Sequence, residues 1–133
     1  MAYISRITIV SLRRPSERTI NQELQWLGNS LGLFGERDRN RSCFRMFIEL
    51  LKSAQARKPL TSDELADMLG LTRGTVVHHI HHLIDAGIVV RQQNKYLLRV
   101  DTLSELVDEV EKDLMRTLNS LRNVAQQIDT KLR

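Results

Sequence analysis

The chain has 133 residues, enough for one domain or one small domain with appended segments, and too few for a large multidomain enzyme. Hydrophobic residues at 41% and charged residues at 27% describe a globular chain that buries a modest core, not a disordered one. The net charge of +4 is unevenly placed: residues 1–100 hold 15 basic and 9 acidic side chains, whereas residues 101–133 hold 5 and 7. This favours a polyanionic partner at the front of the chain and a different task for its tail.

Cys43 is the only cysteine, so no intrachain disulfide is expected and a reducing, cytoplasmic setting fits. No apolar run reaches the roughly 18–20 residues of a membrane-spanning helix, and Arg13 and Arg14 end the short apolar start, so neither a membrane span nor a signal peptide is expected.

In chain order, residues 3–12 are β-branched and roughly alternating, which predicts a short strand before Pro15. Thr19 and Gln22 resemble a capping box. Ile20, Leu24, Leu27 and Leu31 then recur at helical spacing until Gly32 and Gly35. Residues 36–41 form a polar connector with three arginines, read either as a solvated hinge or as a phosphate contact.

Residues 42–56 predict a helix with Phe44, Phe47, Ile48, Leu51 and Ala54 on its apolar face, ending before Pro59. Arg57 and Lys58 follow it, as a solvated helix end or as phosphate contacts. Thr61 and Glu64 form a capping box for a second helix with Leu65, Met68 and Leu69 inward, closed by Gly70. Thr72 caps a third helix running to about Ala86, and Gly87 ends it.

Two strand-like pieces follow, 88–91 and 96–100, around the polar tip Gln92-Gln93-Asn94-Lys95, a hairpin suited to be a wing. Thr102 and Glu105 then open a helix without Pro or Gly from Leu103 to Leu132, about 45 Å long. Its apolar residues at 103, 106, 107, 110, 114, 118, 121, 125, 128 and 132 form a stripe too long to bury on a small module. A second subunit is expected to cover it, making the chain a homodimer.

The segment from Thr61 to Val90 has the spacing of a helix-turn-helix. Ala66 lets two helices approach, Gly70 makes the turn, and Val76, Ile80 and Leu83 plug the second helix into the core. Here the chain resembles winged-helix regulators of the ArsR-like group, from about Ser42 to Val100. The recognition helix of that group reads like Ser-x-x-Ser-x-His-Leu-x-x-Leu-x-x-Ala-Gly-Leu-Val. This sequence has Gly74, Val77, His79-Ile80, Leu83 and Ala86-Gly87-Ile88-Val89 in the same register. Gly74 and Val77 depart from the usual small hydroxyl residues, so no base preference carries over. The added N-terminal strand and helix and the long tail are similar to small archaeal regulators.

The fold class expected is mainly α (α+β): a winged helix-turn-helix at 42–100, an N-terminal strand and helix extension at 1–35 and a C-terminal dimerisation helix at 101–133. The resemblance implies a sequence-specific regulator of transcription that binds double-stranded DNA, with no enzymatic activity and no cofactor.

At 100° per residue, Gly74, His78, His81 and Asp85 lie opposite the core side of the 72–86 helix, with Thr75 and His82 flanking. Thr72 and Arg73 sit at its N-terminus, where free N–H groups favour phosphate; Arg73 is equally able to fork onto guanine. Val77 is either core or a contact to a thymine methyl. The candidate DNA contacts are thus Thr72, Arg73, Gly74, Thr75, Val77, His78, His81 and His82, with Arg91 and Lys95 of the wing on the phosphate backbone and Arg99 beside them.

All four histidines fall in this helix. His79 faces partly inward as a satisfied core histidine, and the other three face outward. His78 and His82 are an i, i+4 pair of the kind zinc accepts, but too few further ligands are near, so no metal site is assigned and a metal-responsive repressor stays an alternative. Asp63, Glu64 and Asp67 read as a solvated helix face, with no phosphate loop or nucleophile to support catalysis. A module that recruits the transcription machinery is the remaining alternative.

Overall fold

Capping residues set most element boundaries in the computed structural model, which describes residues 6–35, 38 and 41–133. Thr19 caps α1 (Ile20–Ser30) by accepting from the Gln22 backbone N–H at 3.2 Å. The Gln22 side chain donates to Glu17 instead of returning to the cap, so the expected capping box is half formed. Asp38 starts α2 (Ser42–Gln55): its carboxylate accepts from the backbone N–H of Cys43 at 2.9 Å and of Phe44 at 3.3 Å.

Thr61 and Glu64 make the full reciprocal box at α3 (Ser62–Leu69), and Gly70 closes that helix at φ 65°, a left-handed position that a Cβ would strain. Thr72 caps α4 (Arg73–Asp85) and Thr102 caps α5 (Leu103–Leu132).

Between these helices lie β1 (Leu60–Thr61), β2 (Val89–Gln92) and β3 (Lys95–Leu98), an antiparallel sheet in the order β1-β3-β2. Gln92 pairs with Lys95, leaving a two-residue turn at Gln93 and Asn94 with Gln93 at φ 57°. The strands are the expected wing shifted by about one residue. β1, which pairs Leu60 with Tyr96, is an addition. Two helices joined by the tight turn at Gly70, followed by this hairpin, make a winged helix-turn-helix fold, mainly helical, with a long C-terminal helix.

The strand expected over 3–12 is not formed in its described part. Residues 6–15 have no ladder, and Val10 N–H donates to the Ser30 carbonyl at the end of α1. β-branched residues become a strand only by pairing with another strand, and here the backbone of the segment meets the end of a helix instead. Residues 3–5, and most of the arginine-rich connector, lie outside the described residues.

One core joins the pieces. Phe47, Met46 and Leu50 of α2, Leu65 of α3, Val76, Ile80 and Leu83 of α4, and Val89 and Leu98 of the wing meet there. Leu33 comes into this core from the N-terminal extension, and Leu106 and Val110 from the start of α5. Phe34 clamps the extension edge-to-face on Phe44 and Phe47, with centroids 5.2 and 5.9 Å apart. Gly28 lies under the Phe34 ring, where any Cβ would collide with it.

The inward face of α2 is wider than periodicity indicates. Cys43, Met46 and Leu50 are buried, whereas Ile48 and Leu51 are half-buried. Met68, expected inside α3, is exposed.

Candidate nucleic-acid interface

The placement of α4 follows from its apolar residues. Val76, Ile80 and Leu83 are completely buried, which forces the residues about half a turn away outward. Thr72, Arg73, Gly74, His78 and His81 are exposed, and Thr75 and Val77 are half-buried at the margins. At the helix start the Thr72 hydroxyl oxygen accepts from Thr75 N–H at 3.2 Å, and that hydroxyl donates to Thr75 Oγ1 at 2.9 Å. Nothing lies within 4 Å of where a Gly74 Cβ would be. Arg73 approaches Asp63 of α3 at 3.8 Å, both side chains solvated.

The two halves of α4 differ in what covers them. The N-terminal extension passes the C-terminal half: His82 Nε2 lies 3.1 Å from the Gly32 carbonyl, and Arg6, Thr8 and Gly32 share a cleft with His82, Asp85 and Ala86. His82 is therefore engaged with the extension and His78 borders a shallow cleft with Gly35 and Asp38, while Thr72, Arg73 and Gly74 at the start of the helix are exposed among the described residues.

His79 is the inward histidine. Its Nε2 lies 2.7 Å from Ser42 Oγ, which donates in turn to Asp38 at 3.2 Å. Burial pushes the His79 pKa down, against the pull of the Asp38 carboxylate. Cys43 stands beside this group, its thiol pushed up to about 12 by burial and by the charge of Asp38. Asp38 thus caps α2 and steadies the helix that carries the exposed face. Sequence reading missed it because an Asp four residues ahead of Ser42 does not match the usual spacing of a cap. Among the described residues, no group of three or more His, Cys, Asp or Glu is placed to hold a metal ion.

In the wing, Arg91 and Lys95 are exposed on either side of the turn, and Arg91 Nε donates to the Gln93 carbonyl at 2.6 Å. Arg99 does not join them. It turns inward to an ion pair with Asp113 of α5 and lies 3.2 Å from Glu109. Asp113, buried and also bridged to Arg116, draws Arg99 away from the wing surface, which corrects its expected place beside the tip. Burial works against the Asp113 carboxylate, but hydrogen bonds and charge from Arg99 and Arg116 outweigh it and hold its pKa below the ordinary value. A second unforeseen link is Arg45, whose guanidinium donates to the Leu69 carbonyl at 2.7 Å and satisfies the end of α3.

The arrangement offers an open helix N-terminus, a polar face about two turns long and a basic hairpin beside it. No curated protein and no solved structure matches the chain. Residues 43–108, from α2 through the wing into α5, match the model of the Crp-like helix-turn-helix domain. That match supports a helix-turn-helix regulator; it is to the Crp-like domain and lends no support to the ArsR-like grouping or the archaeal type expected from the sequence. The central segment is a winged helix-turn-helix similar to the Crp-like domains, which supports a DNA-binding regulator.

Proposed function

We propose that the protein is a homodimeric, sequence-specific transcription regulator that inserts the N-terminal half of α4 into the major groove of duplex DNA. The observation that carries this is the exposure of Thr72, Arg73, Gly74 and His78 on α4, a helix whose Val76, Ile80 and Leu83 are fully buried. Arg73 and the free N–H groups at the helix start meet phosphate or guanine, Thr75 and His78 reach base edges, and Val77 borders a thymine methyl. His81 continues the same face, and His82 reaches DNA only by leaving the Gly32 carbonyl. Arg91 and Lys95 follow the backbone beside the groove.

The long α5 supplies the dimer. Val107, Leu118, Leu121, Val124 and Ile128 are all at least 38% exposed on it, an apolar stripe of the kind that another surface covers. Two-fold symmetry then gives an inverted-repeat site with half-sites about one helical turn apart, or a multiple of it. Among the described residues no helix is long and apolar enough to cross a membrane, and a cytoplasmic regulator fits the buried thiol of Cys43.

The test is a mobility shift with duplexes selected from random sequence, repeated across salt concentrations. Replacing both Arg91 and Lys95 by Ala weakens binding to every duplex and reduces the salt slope by about one unit per lost contact, whereas changing Thr75 or His78 erodes discrimination. Equal effects of both sets on unselected DNA overturn this division. A chain that shifts no duplex at any salt supports a protein-recruiting module instead.

A further inference from the structure

We propose that α5 pairs antiparallel with α5 of a second copy, the acidic half of each helix lying along the basic half of the other. This rests on the homodimer reading above and adds its orientation. Leaving out Asp113 and Arg116, which bridge each other within the chain, residues 101–115 carry five acidic side chains and one lysine, and residues 116–133 carry three basic side chains and Asp129. A parallel pair sets the two acidic halves side by side, and an antiparallel pair sets each against its complement.

The apolar spacing fits the same arrangement. With Leu103 level with Leu132 of the second copy, Val107 meets Ile128 and Leu114 meets Leu121, so one register pairs the outward part of the stripe while Leu106 and Val110 stay in the core of their own chain. In that register Glu111 stands within about 3 Å, along the axis, of the level of Arg122 on the second helix. Glu111 and Arg122 are eleven residues apart, close to three full turns, so they share one flank of the stripe. A parallel pair places Glu111 beside its own copy and Arg122 about 16 Å away.

The helix ends supply a third argument. Leu132 and Ile20 are the two most exposed large apolar side chains described, at 80% and 79%. Leu103 and Ile20 line one cleft of about 330 Å³ with Leu24 and Leu27 of α1. Antiparallel pairing lays the Leu132 end of the second copy on that cleft and covers both residues. A parallel pair leaves Leu132 at the far end of the rod.

The orientation is measured by attaching a spin label to Thr130→Cys in the full chain, with the native chain as control for labelling at buried Cys43. Antiparallel helices place the two labelled positions about 40 Å apart along the rod, and parallel helices bring them within about 20 Å. The long distance is expected. The short one overturns the orientation while leaving a homodimer, and a monomer by sedimentation at tens of micromolar overturns both. Charge reversal gives an independent check on exposed residues. Glu111→Lys and Arg122→Glu each weaken the dimer at low salt, and the two together restore it; a double variant no tighter than the singles overturns the pairing.

Discussion

Asp113 is a charged side chain 3% exposed, and its partners hold it in place. Arg99→Ala removes two charge-assisted contacts to it, and the expected loss is about 1.5–3 kcal/mol of unfolding free energy, read from urea denaturation. The sign of the pH effect follows from the depressed carboxylate: the contribution is present above the unfolded pKa near 4 and is lost as pH falls through the native value. His79 acts in the other titration window. Its native pKa lies below 6.5, so the folded chain holds it neutral; its contribution is complete above about pH 6.5 and is lost as pH falls below that. Stability of the native chain should therefore decline as pH falls below about 6.5, and His79→Gln should flatten that stretch of the profile. An unchanged slope means that another group titrates there.

Among the elements, α4 offers the cleanest separation of stability from recognition. Gly74 lies near the start of the helix with open space around it, so Gly74→Ala should raise stability by about 0.5–1 kcal/mol through helix propensity alone. The added methyl faces the groove, so affinity for the selected duplex should fall although the protein is more stable. Thermal melts and the shift assay read the two effects, and a parallel gain in both sinks the placement of Gly74 in the groove. Gly28→Ala is the converse: a Cβ there falls within about 2 Å of the Phe34 ring, so the extension loosens from α2 and the melting temperature drops.

Elements were legible where a local chemical signal existed. The Thr61–Glu64 box, the Gly70 turn, Thr72 and the unbroken run from Leu103 to Leu132 name their own boundaries, and all are where the sequence places them. The outward set of α4 follows from three apolar residues and the helical period. What failed depended on tertiary partners. The described part of the 3–12 segment has strand propensity but lies against the end of α1, where Val10 N–H meets the Ser30 carbonyl, while β1 is two residues long and forms by pairing with β3. The rotation of α2 by neighbours on several sides, and the capture of Arg99 by Asp113 from 14 residues away, leave no trace in a one-dimensional pattern.

The whole molecule combines a reading head with a rod. The head shares one core with both the extension and the root of α5, so a change of angle at the rod reaches α4 through packed side chains such as Leu106 and Val110. The extension meets the C-terminal half of α4 at His82, and the proposed contact with DNA uses the N-terminal half. The most direct measurement is methylation interference on the tightest duplex selected from random sequence, because guanine N7 methylation blocks the major groove alone. The expected result is two symmetric clusters of interfering guanines, one for each α4, lost in the Thr75→Ala, His78→Ala variant. Binding that tolerates every N7 methyl, or interference confined to one side of the site, would contradict insertion of α4 from both subunits.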